Sequence, residues 1–172
     1  MADSSTRSLP GDAELLAALE RAVDEVFSSM VCAFEALAEH GSPVAAAARG
    51  GARESFDREA VVEFRGAISG QVVFRCTASG AHDIARGLLM LDGETALAVD
   101  EVNDALKECA NMITGHVKTR VLDPLGAFDL SIPFMKDAGA QPAGPVCGAL
   151  VYRLQQGLIS VELWRCEGAP HS

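Results

Sequence analysis

Two side chains with chemical potential stand three residues apart, Glu108 and Asn111, in the run Asp104-Ala-Leu-Lys-Glu-Cys-Ala-Asn-Met-Ile-Thr-Gly-His-Val-Lys118. On a helix, positions i and i+3 project side by side. At roughly 100° per residue, Asp104, Glu108, Asn111, Gly115 and Lys118 share a stripe about 80° wide. Val102, Ala105, Leu106, Cys109, Ile113 and Val117 fall on the opposite side, which is the core face. The polar stripe is therefore expected to face outward. An ordinary solvated face accounts for Asp104, Glu108 and Lys118. It accounts poorly for the other two, because Asn is a weak helix former and Gly costs about 1 kcal/mol relative to Ala. Neither Glu108 nor Asn111 is a good nucleophile here, and no Ser–His or Cys–His pair lies nearby in sequence. An amide can orient a water molecule, and a carboxylate can pair with a partner's lysine. Gly115 removes a side chain and lets a partner come close. The set suits a surface that completes a phosphoryl site on another protein.

The elements that must position this stripe can be read along the chain. Residues 1–11 are expected to be disordered. Asp12 is the expected N-cap of a long helix reaching about Glu39. Leu15, Leu19, Val23, Val26, Met30, Phe34 and Leu37 form its apolar stripe. Glu14, Arg21, Asp24, Glu25 and Ser28 form its solvated face, and His40-Gly-Ser-Pro43 stops it. Residues 44–57 are read as a loop. Strands follow at 61–65 and 71–76 around the glycine-marked bend 66–70. Ser79 is the expected cap of a short helix over 81–91, with Ala85, Leu88 and Leu89 inward. The helix that carries the stripe runs from 96 or 100 to Leu122, where Asp123-Pro124 ends it. Strands are expected at 128–133, 146–154 and 158–165, the last two joined by the turn Gln155-Gln156-Gly157. The fold class is α+β: an antiparallel sheet packed by two long helices and one shorter helix. A long helix followed by strands occurs twice, which hints at a pseudo-repeat.

Composition limits the alternatives. The chain has 172 residues, which suits a single domain over 1–172 with a tail at 167–172. Its 14 basic and 24 acidic residues leave a net charge of −10. That argues against nucleic acid and against an anionic membrane surface as partners. The five cysteines are widely spaced, with no CxxC and no zinc-type Cys–His spacing, so no metal site is expected. Reduced, mostly buried cysteines suit a cytoplasmic protein. The polar segment Met1–Pro10 lacks the apolar region of a signal peptide, and no apolar run reaches the roughly 20 residues of a membrane helix.

The run Glu108-Cys-Ala-Asn111-Met-Ile-Thr-Gly115, with Asp104 ahead and Ser131-Ile132-Pro133 downstream, resembles the CheC/CheX/FliY family of chemotaxis phosphatases. It is most similar to the CheX branch. The strand pair at 66–76, the Ala/Leu helix at 81–91 and the closing strands fit as well, so the resemblance spans roughly 12–165. It implies removal of phosphate from a phospho-aspartyl response regulator, a CheY-like receiver domain. By that analogy Asn111 positions the attacking water and Glu108 contacts the regulator's lysine. Asp104, Gly115 and Lys118 would line the docking face. No cofactor is expected on this chain, because Mg²⁺ would be held by the partner receiver.

The first long helix offers Asp24-Glu-Val-Phe-Ser-Ser-Met-Val31, with no Glu-x-x-Asn, so one active face is expected. His116 is expected to be structural. Arg120 falls on the apolar side, where it would snorkel outward or form a buried pair. The family also implies a homodimer, for which a sheet edge from 146–165 would offer a route. A non-catalytic module that binds a receiver or a motility component is the alternative reading. A flagellar-switch subunit is a third, disfavoured by the chain's length.

Overall fold

The computed structural model describes residues 8–30, 34–39, 56–93, 95–137 and 142–166. Three helices are described: α1 (Asp12–Ser29), α2 (Ala78–Leu89) and α3 (Val99–Val117). The strands are β1 (Glu35–Glu39), β2 (Arg58–Arg65), β3 (Ser69–Cys76), β4 (Asp129–Leu130), β5 (Phe134–Lys136), β6 (Val146–Arg153) and β7 (Leu158–Cys166). They form one antiparallel sheet in the order β1-β6-β7-β3-β2-β4, with β5 also pairing β2. The helices cover one face, α1 packing on β6 and β7 and α3 on β2, β3 and β5. Alternation does the rest: Ala60, Val62, Phe64, Val72, Phe74, Tyr152, Val161 and Leu163 all point into that core. The α+β expectation holds.

Several local expectations need correction. Gly11, not Asp12, is the N-cap of α1, and Asp12 is the first helical residue. The helix stops at Ser29, ten residues short of Glu39. Ser28 and Ser29 are weak helix formers, and the Ser29 hydroxyl bonds back to the Val26 carbonyl at 2.6 Å. Glu35–Glu39 instead pairs with Leu150–Arg153 as β1. The expected stop at 40–43 and the expected loop at 44–55 lie outside the described residues, as do residues 1–7 and 167–172 of the expected lead-in and tail. Within 8–11, Pro10 is buried and its carbonyl accepts from Arg165 at 3.0 Å. Thr77 caps α2 in place of Ser79, its hydroxyl accepting from the Gly80 N–H at 3.1 Å. Leu89 is exposed although it was expected inward. The strand expected at 128–133 is split, because Pro133 has no N–H to donate to a ladder. Finally, 146–165 is no sheet edge. β1 covers β6, and β7 lies between β6 and β3.

The hinted pseudo-repeat is explicit in the sheet. Exchanging β1 with β5, β2 with β6 and β3 with β7 reproduces the same strand order read backwards. Phe74 and Val161 face each other across the central pair, with Val72–Leu163 and Cys76–Ile159 flanking them symmetrically. The helices obey the same relation. Leu15, Ala18, Leu19, Ala22, Val23, Val26 and Phe27 are buried on α1, and each has a buried counterpart 87 residues later, Val102 through Thr114.

The other face of the sheet holds a charge cluster. Arg75 lies 3.5 Å from Glu59 and 3.3 Å from Glu162, and both carboxylates are about 1% exposed. Glu162 also accepts from the Trp164 indole at 2.7 Å. Burial pushes the Glu162 carboxyl above the ordinary carboxylate range, with Arg75, Trp164 and Ser160 opposing the shift. A folded-state value above the unfolded one favours the protonated form. Its stabilisation is full below the unfolded value and is lost as pH rises through the folded one. Glu162→Gln mimics the protonated acid, so its stability relative to the parent is expected to rise with pH above the ordinary carboxylate range. Urea denaturation of both proteins across that range measures it; a pH-independent difference would refute the shift.

Candidate functional site

The α3 helix is built to be anchored on one side and bare on the other. Asp100 and Glu101 sit in its first turn, favourable against the helix dipole. The Glu101 carboxylate accepts from the Ala98 N–H at 2.8 Å, satisfying one amide at the start. Arg58 of β2 reaches the Asn103 amide oxygen at 3.0 Å. Val102, Ala105, Leu106, Cys109, Ile113 and Val117 are buried as the sequence predicts. That fixes the rotation of the helix and turns Asp104, Glu108, Asn111 and Gly115 away from the sheet.

Glu108 is exposed and Asn111 half-buried. Among the described residues, no group hydrogen-bonds or ion-pairs with the side chain of either. The other three expected residues differ. Asp104 is held by Lys107 at 2.7 Å, an i,i+3 pair at the surface. A Cβ added at Gly115 would meet nothing within 4 Å, so the chain's own packing does not require glycine there. Lys118 begins a π-helical turn, Lys118–Leu122, and its ammonium bonds to Asp123 at 2.6 Å. The stripe runs along the α-helix from Asp104 to Gly115, and Lys118 stands one turn further on, where the helix changes pitch.

Downstream, the segment around Pro133 is pinned to β2. The Ser131 hydroxyl accepts from the Glu63 N–H, and the Ser131 N–H donates to the Glu63 carbonyl, both at 2.9 Å. Ile132, between them and Pro133, is 87% exposed. The loop lies at the sheet edge formed by β4 and β5, and α3 packs against β5.

His116 and Arg120 do not join the stripe. His116 Nδ1 lies 3.0 Å from Glu25 on α1 and 3.2 Å from Arg120, whose guanidinium also grips Glu25. The Arg120 guanidinium holds the Glu25 carboxyl below its ordinary range, with His116 adding to the effect. The expected structural histidine is therefore a clasp between the two long helices, and Arg120 forms a pair across to α1. Lys107 and Ile132 were not singled out from sequence. The i,i+3 spacing of Lys107 from Asp104 was a usable signal; nothing in the sequence marked Ile132 as exposed. Among the described residues, no three His, Cys, Asp or Glu side chains gather as a metal set, and no helix is long and apolar enough to cross a membrane.

The described residues form a seven-stranded antiparallel sheet with three helices on one face, and α3 carries the outward pair Glu108 and Asn111. Residues 59–142 match the family model described as "Chemotaxis phosphatase CheX". No curated protein sequence matches the chain. Among solved structures, CheX of Desulfovibrio desulfuricans is similar, with a TM-score of 0.67 and 18% identity over 88% of this chain and 99% of that one. CheX of Vibrio vulnificus gives 0.65 and 20% over 91% and 99%. The CheX–CheY–BeF3–Mg²⁺ complex of Borrelia burgdorferi gives 0.61 and 16% over 88% and 97%. These solved CheX structures share the fold of this chain.

Proposed function

We propose that this protein hydrolyses the phospho-aspartate of a CheY-like receiver domain, with α3 docked over the receiver's active site. The observation that carries the reading is the pair Glu108 and Asn111. They are adjacent, solvent-facing and without partners among the described residues, on a helix whose rotation the core dictates. Support comes from the family model and from the Borrelia neighbour, which was solved with CheY.

In this reading the Asn111 amide oxygen accepts a hydrogen bond from a water and aims its oxygen at the phosphorus, in line with the leaving carboxylate. The new P–O bond forms as the bond to the aspartyl oxygen breaks. The receiver's aspartate is regenerated, and phosphate leaves with the water's oxygen. Glu108 pairs with the receiver's lysine and fixes the docked geometry. The receiver's Mg²⁺ supplies charge stabilisation at the phosphoryl oxygens, and no residue of this chain is assigned to it. The chain's share is positioning, the main lever open to an accessory surface in phosphoryl transfer. Asp104, with Lys107, forms the rim. Cytoplasmic location and a homodimer belong to the same reading, with β1 or the β4–β5 edge, and not 146–165, as the edges free to pair.

The test is the phosphate lifetime of acetyl-phosphate-labelled receiver domains with and without the protein. Acceleration supports the reading. Binding without acceleration by any receiver would instead favour the non-catalytic module.

Gly115 supplies a sharper check. Gly115→Ala places its Cβ in open space, so the helix is expected to gain about 0.5–1 kcal/mol in stability. If the glycine serves a docked partner, the same change raises the receiver concentration needed for half-maximal rate. A variant that is more stable and equally active would remove Gly115 from the docking face.

A further inference from the structure

A second feature lies away from α3. The C-terminal turn of α2 and the β6–β7 turn enclose a cleft of about 560 Å³, within the range of small-molecule sites. Met30 and Leu154, both buried, line it, together with the exposed Met90 and Leu91. Met90 adopts a left-handed backbone (φ 54°), and its side chain is 84% exposed. A large apolar side chain held in that conformation at a cleft mouth has no role in the core.

The cleft's one cationic lining residue among those described is Arg86. Its Nε is buried and has no hydrogen-bond partner. No described group pairs with the rest of the guanidinium. Asp83, the acidic residue among the described lining, accepts from the Gln156 N–H at 2.7 Å. A buried Nε–H with no partner is costly unless an acceptor completes it, and an anion can do so. Its planar fork matches a two-oxygen head group, and the methionine and leucine walls match an apolar body.

We infer that this cleft binds a small carboxylate carrying an apolar tail, with Arg86 holding the carboxylate. The inference is independent of the function proposed for α3.

Octanoate is a suitable probe, titrated into the full chain by calorimetry or ligand-observed NMR. Saturable binding to the parent is expected, with octylammonium not binding. Arg86→Gln should weaken octanoate about tenfold or more, the usual effect of losing a charge-assisted pair. Met90→Gly, which suits the left-handed backbone and removes an apolar wall, should weaken it less. Inorganic phosphate should compete poorly. Absence of octanoate binding, equal binding to Arg86→Gln, equal binding of octylammonium, or full competition by phosphate would each overturn the proposal. The Arg86 side chain makes no described bond within the chain, and unchanged denaturation midpoints would exclude a folding effect.

Discussion

Asn111→Ala is expected to slow receiver dephosphorylation about a hundredfold or more, the scale of losing one positioning group in a reaction that depends on alignment. Stability should move by less than about 0.5 kcal/mol. The asymmetry follows from the structure. Asn111 is half-buried at the surface and has no partner among the described residues, so the chain loses no bond when the amide goes. Alanine is also the better helix former by a few tenths of a kcal/mol. Single-turnover loss of phosphate, with urea denaturation run in parallel, separates the two effects. An active variant would show that Asn111 does not position the water. An inactive, unfolded one would contradict the account of its surroundings.

Phe27→Ala should do the opposite, destabilising the fold by about 3–5 kcal/mol, the range for truncating a buried Phe. Phe27 is fully buried. Its ring meets Phe34 at 5.4 Å, Tyr152 at 6.0 Å and Phe74 at 6.5 Å, each edge to face. It therefore joins α1 to β3, to β6 and to the segment that leads into β1. Against a typical total of about 5–15 kcal/mol, that loss leaves little margin. The urea midpoint is the measurement, and a shift worth under about 1.5 kcal/mol would mean that neighbouring rings close the cavity. Receiver dephosphorylation by the remaining folded fraction should be unchanged, because Phe27 lies on α1 and not on the proposed site.

The outward placement of the candidate pair was legible because helical periodicity alone decides which way Glu108 and Asn111 point. Once Leu106, Cys109 and Ile113 are inward, the other face is outward. The turn at 155–157 was legible for a similar local reason. What escaped was non-local. Phe34 and Leu37 kept a helical spacing, yet Glu35–Glu39 found a better partner in β6, more than a hundred residues away in sequence. Missing β1 made 146–165 look like an edge. The break at 128–133 was marked by Pro133 in the sequence, but the tie from Ser131 to Glu63 of β2 was not, because no local pattern announces it. Arg120 lay on the wrong side of an ideal helix. The π turn at Lys118–Leu122 changes the pitch there, and Glu25 supplies its counter-charge from α1.

The reversed strand order has a kinetic corollary. Each half of the chain lends its outermost strand to the other: β1 completes the sheet beside β6, and β5 completes it beside β2. Neither half closes its own sheet, so there is no position at which the polypeptide could be severed into two self-sufficient pieces. β1 must wait until β6 exists, and β2 is not flanked until β5 does. Such long-range closure places assembly among the slow folders, on the millisecond-to-second scale and not the microsecond scale of helical bundles. During synthesis, β1 would wait without a partner and β2 with a bare edge, the stage at which this chain is most exposed to mispairing.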